Sequence, residues 1–129
     1  MIEIDNDAQR QPGWYQSKIG NVGASMISAV MAKGSGATRN NYMSTLLLER
    51  LTNVRVETYQ SKAMEWGIET EAKAREHYGF MTNTQPTLAK YVPHPTVPNT
   101  GASPDSYIGE DGLLEIKCPQ RSQHLDTLL

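Results

Sequence analysis

Asp105, Glu115 and Lys117 are the residues of this 129-residue chain whose types and spacing could do chemistry together. Over 113–118, Leu-Leu-Glu-Ile-Lys-Cys, the twofold alternation of a strand puts Leu114, Ile116 and Cys118 on one face and Leu113, Glu115 and Lys117 on the other. One face is apolar, and the other presents an acid beside a base. Asp105 lies ten residues before Glu115, and the glycines between them at 109 and 112 predict a hairpin. For both carboxylates to share a face, Asp105 must stand opposite Glu115. That register makes Tyr107 oppose Leu113 and leaves an odd loop over 108–112, or an equivalent bulge.

Two carboxylates on neighbouring strands, with the carbonyl of Ile116 between Glu115 and Lys117, are oxygen ligands suited to Mg²⁺, or to Mn²⁺ as its substitute. Such an ion activates a water and stabilises a pentacovalent phosphate. Lys117 could position that water or assist its deprotonation, with its pKa lowered by burial or held up by the acids. A further acid comes from a helix expected over 61–78, with Ser61 as its N-cap. There Met64, Ile68, Glu71, Arg75 and Tyr78 follow at steps of three or four, so Glu71 falls in the inward stripe while Glu65, Glu69, Lys73 and Glu76 reach solvent. An inward carboxylate needs a partner, and Glu71 could serve the metal directly or through water. A purely structural reading of the same residues makes Asp105 a turn residue, Glu115 and Lys117 a solvated edge-strand pair, and Glu71 one half of a salt bridge with Arg75.

The elements that must position these groups read as an arm, three helices and then extended chain. Residues 1–12 are polar and aperiodic, which predicts a flexible N-terminal arm before one domain over 13–129. A short helix is expected over 24–33 with Ile27, Val30 and Met31 on one face, ended by the loop Gly34-Ser35-Gly36. A second is expected over 40–52, with Tyr42, Thr45, Leu46, Leu48 and Leu51 in its apolar pattern and Glu49 and Arg50 left to water, stopping at Asn53. Extended segments are expected at 88–92, 100–103, 105–108 and 113–118, and a last helix begins after Pro119. Trp14 and Trp66 are expected in the core.

Composition narrows the function classes. The net charge of −2 hides a partition: residues 10–62 hold seven bases and two acids, whereas residues 63–129 hold five bases and nine acids. Such a split suits a protein that grips a polyanion and also holds a hard cation. Cys118, the single cysteine, leaves no internal disulfide and no cysteine-built zinc or iron–sulfur site. His77, His94 and His124 lack metal-ligand spacing, and the loop at 34–36 lacks the lysine of a P-loop. No stretch approaches the roughly 20 apolar residues that cross a bilayer, and the acidic start lacks a secretory pattern. A cytoplasmic protein without a membrane partner is expected.

These residues resemble a known family. Asp105, Glu115-Ile116-Lys117 and the helical Glu71 resemble the PD-(D/E)xK nuclease core, and the wider chain resembles the phage lambda exonuclease and YqaJ-like viral recombinase branch of that superfamily. The resemblance runs from Trp14 nearly to the C-terminus through Trp14 to Ser25, Met64-Glu65-Trp66-Gly67 with Glu71, Ser103-Pro104-Asp105, and Leu114-Glu115-Ile116-Lys117-Cys118-Pro119. It implies an α/β fold of the restriction-endonuclease type, a mixed central β-sheet flanked by helices. It also implies Mg²⁺-dependent 5′ to 3′ degradation of one strand at double-stranded DNA ends, by a homotrimer that works with a single-strand annealing protein in phage-type recombination inside a bacterial host cell.

In the family an arginine and a serine hold the 5′-phosphate. Ser25 matches the serine and Lys18 stands in the arginine's place, with Ser103 grouped beside them as DNA phosphate-binding. Independently, Ser25 is expected at a helix N-terminus, where free N–H groups attract anions. Lysine keeps the charge but lacks the guanidinium fork. Family members continue past the E-x-K strand, so a chain shortened at its C-terminus is expected. Two other readings stay open: an endonuclease of restriction or repair type on the same core, and an inactive fragment that binds DNA through its basic N-terminal half.

Overall fold

A computed structural model describes residues 5–34 and 36–129. Residues 1–4 of the expected arm and Ser35 of the loop at 34–36 lie outside the described residues. In chain order the elements are α1 (Pro12–Lys18), β1 (Val22–Gly23), a 3₁₀ turn (Ala24–Met26), α2 (Ile27–Val30), α3 (Ala37–Thr52), α4 (Lys62–Thr82), β2 (Thr87–Leu88), β3 (Val92–Pro93), β4 (Thr100–Ala102), β5 (Ser106–Ile108), β6 (Gly112–Leu114) and α5 (Arg121–Leu128). The chain is mixed α/β. Among the described residues its strands form two three-stranded sheets, β1-β4-β3 and β2-β5-β6, where one central sheet was expected. By contacts it divides into two compact units, Met1–Glu57 with Leu88–Pro104, and Thr58–Thr87 with Asp105–Leu129.

In the first unit, β1 runs parallel to β4 with Val22 opposite Thr100, and β3 runs antiparallel to β4 with Val92 opposite Ala102. Pro93, which has no N–H to donate, sits on an outer strand, where its loss is tolerated. A side chain at Gly101 would run into the Tyr91 ring and come within 2.6 Å of the Val92 carbonyl, so the central strand needs glycine there. The segment expected to be a flexible arm is tied down over its described part. Ala8 bridges Lys90, the Gln9 N–H donates to the Ala89 carbonyl at 2.8 Å, and Ala8 and Gln9 are buried. This sequence has no strand-like alternation, because a single bridge and one turn hold it rather than a ladder.

Helix α1 was not expected. Its signal is Pro12 in the first turn, where a missing N–H costs nothing, followed by the buried Trp14. The helix expected over 24–33 is reduced to the 3₁₀ turn and the four residues of α2, with Ile27 and Met31 exposed and only Ala29 buried. Helix α3 begins earlier than expected and ends at Asn53 in the left-handed conformation, as expected of a C-cap. Its inward face differs from expectation. Glu49 is buried while Leu48 and Leu51 are exposed. Spacing explains this, since Tyr42, Thr45, Leu46 and Glu49 share one face at steps of three and four.

In the second unit, the Ser61 side chain caps α4 by accepting from the Met64 N–H at 3.2 Å, and α4 runs past the expected end to Asn83, again left-handed. Glu71 is buried at its middle, Ile68 is half-buried, and Met64, Tyr78 and Trp66 are exposed, so Trp66 is not core. Strands β5 and β6 pair with Tyr107 opposite Leu113 and Ile108 opposite Gly112, the register derived from the two carboxylates. Gly109 takes φ +61 in the turn. The last strand is shorter than expected and ends at Leu114. Beyond Ser106 its partner strand meets Pro104, which cannot extend a ladder.

Candidate active site

Four of the expected site residues lie in the second unit. Asp105 precedes β5, Glu115 and Lys117 follow β6, and Glu71 comes from α4. The alternation expected over 113–118 persists past the strand: Leu113, Glu115 and Lys117 are exposed, and Leu114, Ile116 and Cys118 are half-buried. The β5–β6 pairs end with Ser106 opposite Leu114, so Asp105 and Glu115 are the next residue on each strand, just beyond the ladder. Asp105 is buried, and its Oδ2 accepts from the Ile116 N–H at 2.7 Å. That bond replaces the missing ladder and fastens the Ser-Pro-Asp turn to the Glu-Ile-Lys segment.

The Glu115 carboxylate pairs with the Lys117 ammonium. This contact raises the Lys117 pKa above its ordinary value; burial opposes it, and the charges of Glu115, Asp105 and Glu71 add smaller increments upward. The Cys118 thiol is pushed up as well, by burial first and then by Glu71 and Asp105. Glu71 and Asp105 therefore act on the same two neighbours of Glu115.

Glu71 finds the partner its inward position demands in Arg75, whose Nη2 donates to Glu71 Oε1 at 2.7 Å. The Arg75 Nε donates to Ser106 Oγ at 2.6 Å, and Ser106 is fully buried. Arg75 was read from sequence only as a salt-bridge alternative. Its link to β5 could not be found from helical spacing alone.

The carboxylates each hold a protein partner, and among the described residues no three or more His, Cys, Asp and Glu side chains stand grouped as a metal site. The chemistry of the donor set nevertheless fits Mg²⁺. Asp105, Glu115, Glu71 and the Ile116 carbonyl offer only hard oxygens, the ligands this ion prefers.

Lys18, Ser25 and Ser103 lie in the first unit. Lys18 ends α1 with Nζ 3.8 Å from the Trp14 ring centroid, and Arg55 stacks 4.2 Å over Tyr15. Burial lowers the Lys18 pKa; Arg55 and Arg10 lower it further, and Glu49 opposes them. Ser25 is exposed within the 3₁₀ turn, and the four-residue α2 that follows lacks the aligned dipoles of a full helix N-terminus. Ser103 Oγ is buried with no hydrogen-bond partner among the described residues. Sequence reasoning missed the buried Glu49, which accepts from the Gly20 N–H at 3.2 Å and the Val56 N–H at 3.1 Å. Its signal was the same as that of Glu71, an acid in an apolar helical stripe.

Two solved structures of an alkaline exonuclease, LHK-Exo, are similar to the chain at 38% identity. One, from Laribacter hongkongensis, superposes with a TM-score of 0.75, and the other, in complex with dAMP, with 0.77. Each match covers 90% of this chain and 57% of the exonuclease chain, so the sequence spans a little over half the length of those relatives. No curated protein sequence matches. A family model for the YqaJ-like viral recombinase domain matches residues 13–129, and the chain belongs to that family.

Proposed function

We propose that this chain is the catalytic part of a Mg²⁺-dependent exonuclease that degrades one strand of duplex DNA 5′ to 3′ from an end, in phage-type recombination within a bacterial cytoplasm. The observation that carries the reading is the 2.7 Å bond from the Ile116 N–H to Asp105 Oδ2, which supports a shared site for the Ser-Pro-Asp turn and the Glu-Ile-Lys segment at the end of β5–β6. Likeness to an alkaline exonuclease, solved once with dAMP, supports a nuclease that releases mononucleotides.

Asp105, Glu115 and the Ile116 carbonyl would hold Mg²⁺, or Mn²⁺ in its place, with Glu71 joining directly or through water. When bound, the ion lowers the pKa of a water and offsets charge on the phosphorane. Lys117, beside Glu115, would donate hydrogen bonds to a phosphate oxygen and orient the attacking water, whose proton passes to solvent. Asp105 keeps the Ile116 segment aligned through the bond at 2.7 Å. Lys18, Ser25 and Ser103 receive DNA phosphates, Lys18 as a point charge without a fork. A single-strand annealing protein is the expected partner and a homotrimer the expected assembly.

The test uses duplex DNA in two topologies, linear with a 5′ or 3′ label and covalently closed circular, with Mg²⁺ or EDTA. Release of the 5′ label from linear DNA only, abolished by EDTA, is the expected result. Opening of the closed circle would establish the endonuclease reading instead. DNA binding in EDTA with no cleavage in Mg²⁺ would establish the inactive DNA-binding fragment.

A further inference from the structure

We infer that Arg75 is a positioning residue for the carboxylate site: by holding Glu71 of α4 to Ser106 of β5, it sets the place of the helical acid and thereby the affinity of the site for a divalent cation. The inference rests on reading these acids as a metal site. Its basis is a pair of bonds from one planar group, Nη2 to Glu71 Oε1 at 2.7 Å and Nε to Ser106 Oγ at 2.6 Å. The Arg75 and Glu71 side chains are only 14% and 12% exposed, and Ser106 is fully buried, so water does not compete freely for either bond. Ser106 follows Asp105 in the chain and pairs with Leu114, the residue before Glu115. One guanidinium thus ties the helical acid to the two strand segments that carry the others. A lysine keeps the charge but cannot reproduce the fixed fork.

The geometry gives this role a sign of its own. Arg75 is a cation paired with Glu71, so if charge were its whole effect, removing it would strengthen binding of a divalent cation. A positioning role predicts the reverse, because loss of the groups that orient metal ligands weakens binding by roughly ten- to a hundredfold.

The test is Mn²⁺ titration of the full chain, followed by the electron paramagnetic resonance signal of the free ion, for the wild type, Arg75→Met, Arg75→Lys and Ser106→Ala. Circular dichroism checks each fold. The expected result is weaker Mn²⁺ binding by about tenfold or more for Arg75→Met, with smaller losses for Ser106→Ala and partial rescue by Arg75→Lys. If Arg75→Met fails to fold, the other two variants decide. Tighter binding by Arg75→Met, or wild-type binding by both Ser106→Ala and Arg75→Lys, would overturn the inference and leave the nuclease reading standing. Wild-type protein that binds Mn²⁺ without cutting DNA would overturn the nuclease reading alone. Wild-type protein that binds no Mn²⁺ would overturn both.

Discussion

At the scale of single residues, two helical acids break the apolar stripes of their helices, and each is explained by what it holds. Glu49 satisfies two backbone N–H groups from separate loops, and Arg50 beside it donates from Nε to the Gly20 carbonyl at 2.9 Å. Glu49→Ala is expected to cost about 2–4 kcal/mol in urea denaturation. Glu49→Gln, which keeps an acceptor oxygen, should cost less. Lys18 yields a pH prediction. Burial holds its pKa below the ordinary 10.5, so the unfolded chain binds that proton more tightly than the folded one. Stability therefore rises as pH climbs through the folded pKa towards 10.5. Relative to Lys18→Met, the wild type should gain stability between pH 7 and pH 10 in urea titrations; parallel profiles would contradict this account. Glu71 was legible as an inward acid because spacing reveals direction. Whether it faced a metal or an arginine was not, because Arg75 Nε reaches a strand 31 positions along the chain.

At the scale of elements, the β5–β6 hairpin carries most of the site, and its register was legible because chemistry and pleat gave the same answer. Requiring Asp105 and Glu115 on one face set Tyr107 opposite Leu113, which is the observed pairing. Its length was not legible, since strand length depends on the partner and Pro104 ends the ladder. The hairpin is sensitive at Gly112, where an added Cβ would lie 2.5 Å from the Ile108 carbonyl oxygen. Gly112→Ala should shift the pairing and reduce DNA cleavage together with stability. Full activity and an unchanged melting temperature would show that the hairpin does not position the acids. Helices α3 and α4 were located well because Asn53, Ser61 and their apolar steps are local signals. The fixed segment 5–11 was missed because what holds it is long-range: Ala8 and Gln9 meet residues 89 and 90.

At the scale of the whole molecule, the family and the α/β class were legible from ordered blocks of residues, whereas the division into two units was not. Chain order mixes the units, the first taking Leu88–Pro104 after the second has begun. The charge partition along the sequence agrees with where the groups lie, with Lys18, Arg50 and Arg55 in one unit and Glu71, Asp105 and Glu115 in the other. Among the described residues, no helix is long and apolar enough to cross a membrane. Leu47, Leu48 and Leu51 on α3 and Phe80 and Met81 on α4 are exposed. The most direct measurement is Mg²⁺-dependent degradation of linear duplex DNA by the wild type and by Asp105→Ala, with circular dichroism to show that both are folded. The account predicts cleavage by the wild type and none by the folded variant; cleavage at the wild-type rate by Asp105→Ala would contradict it.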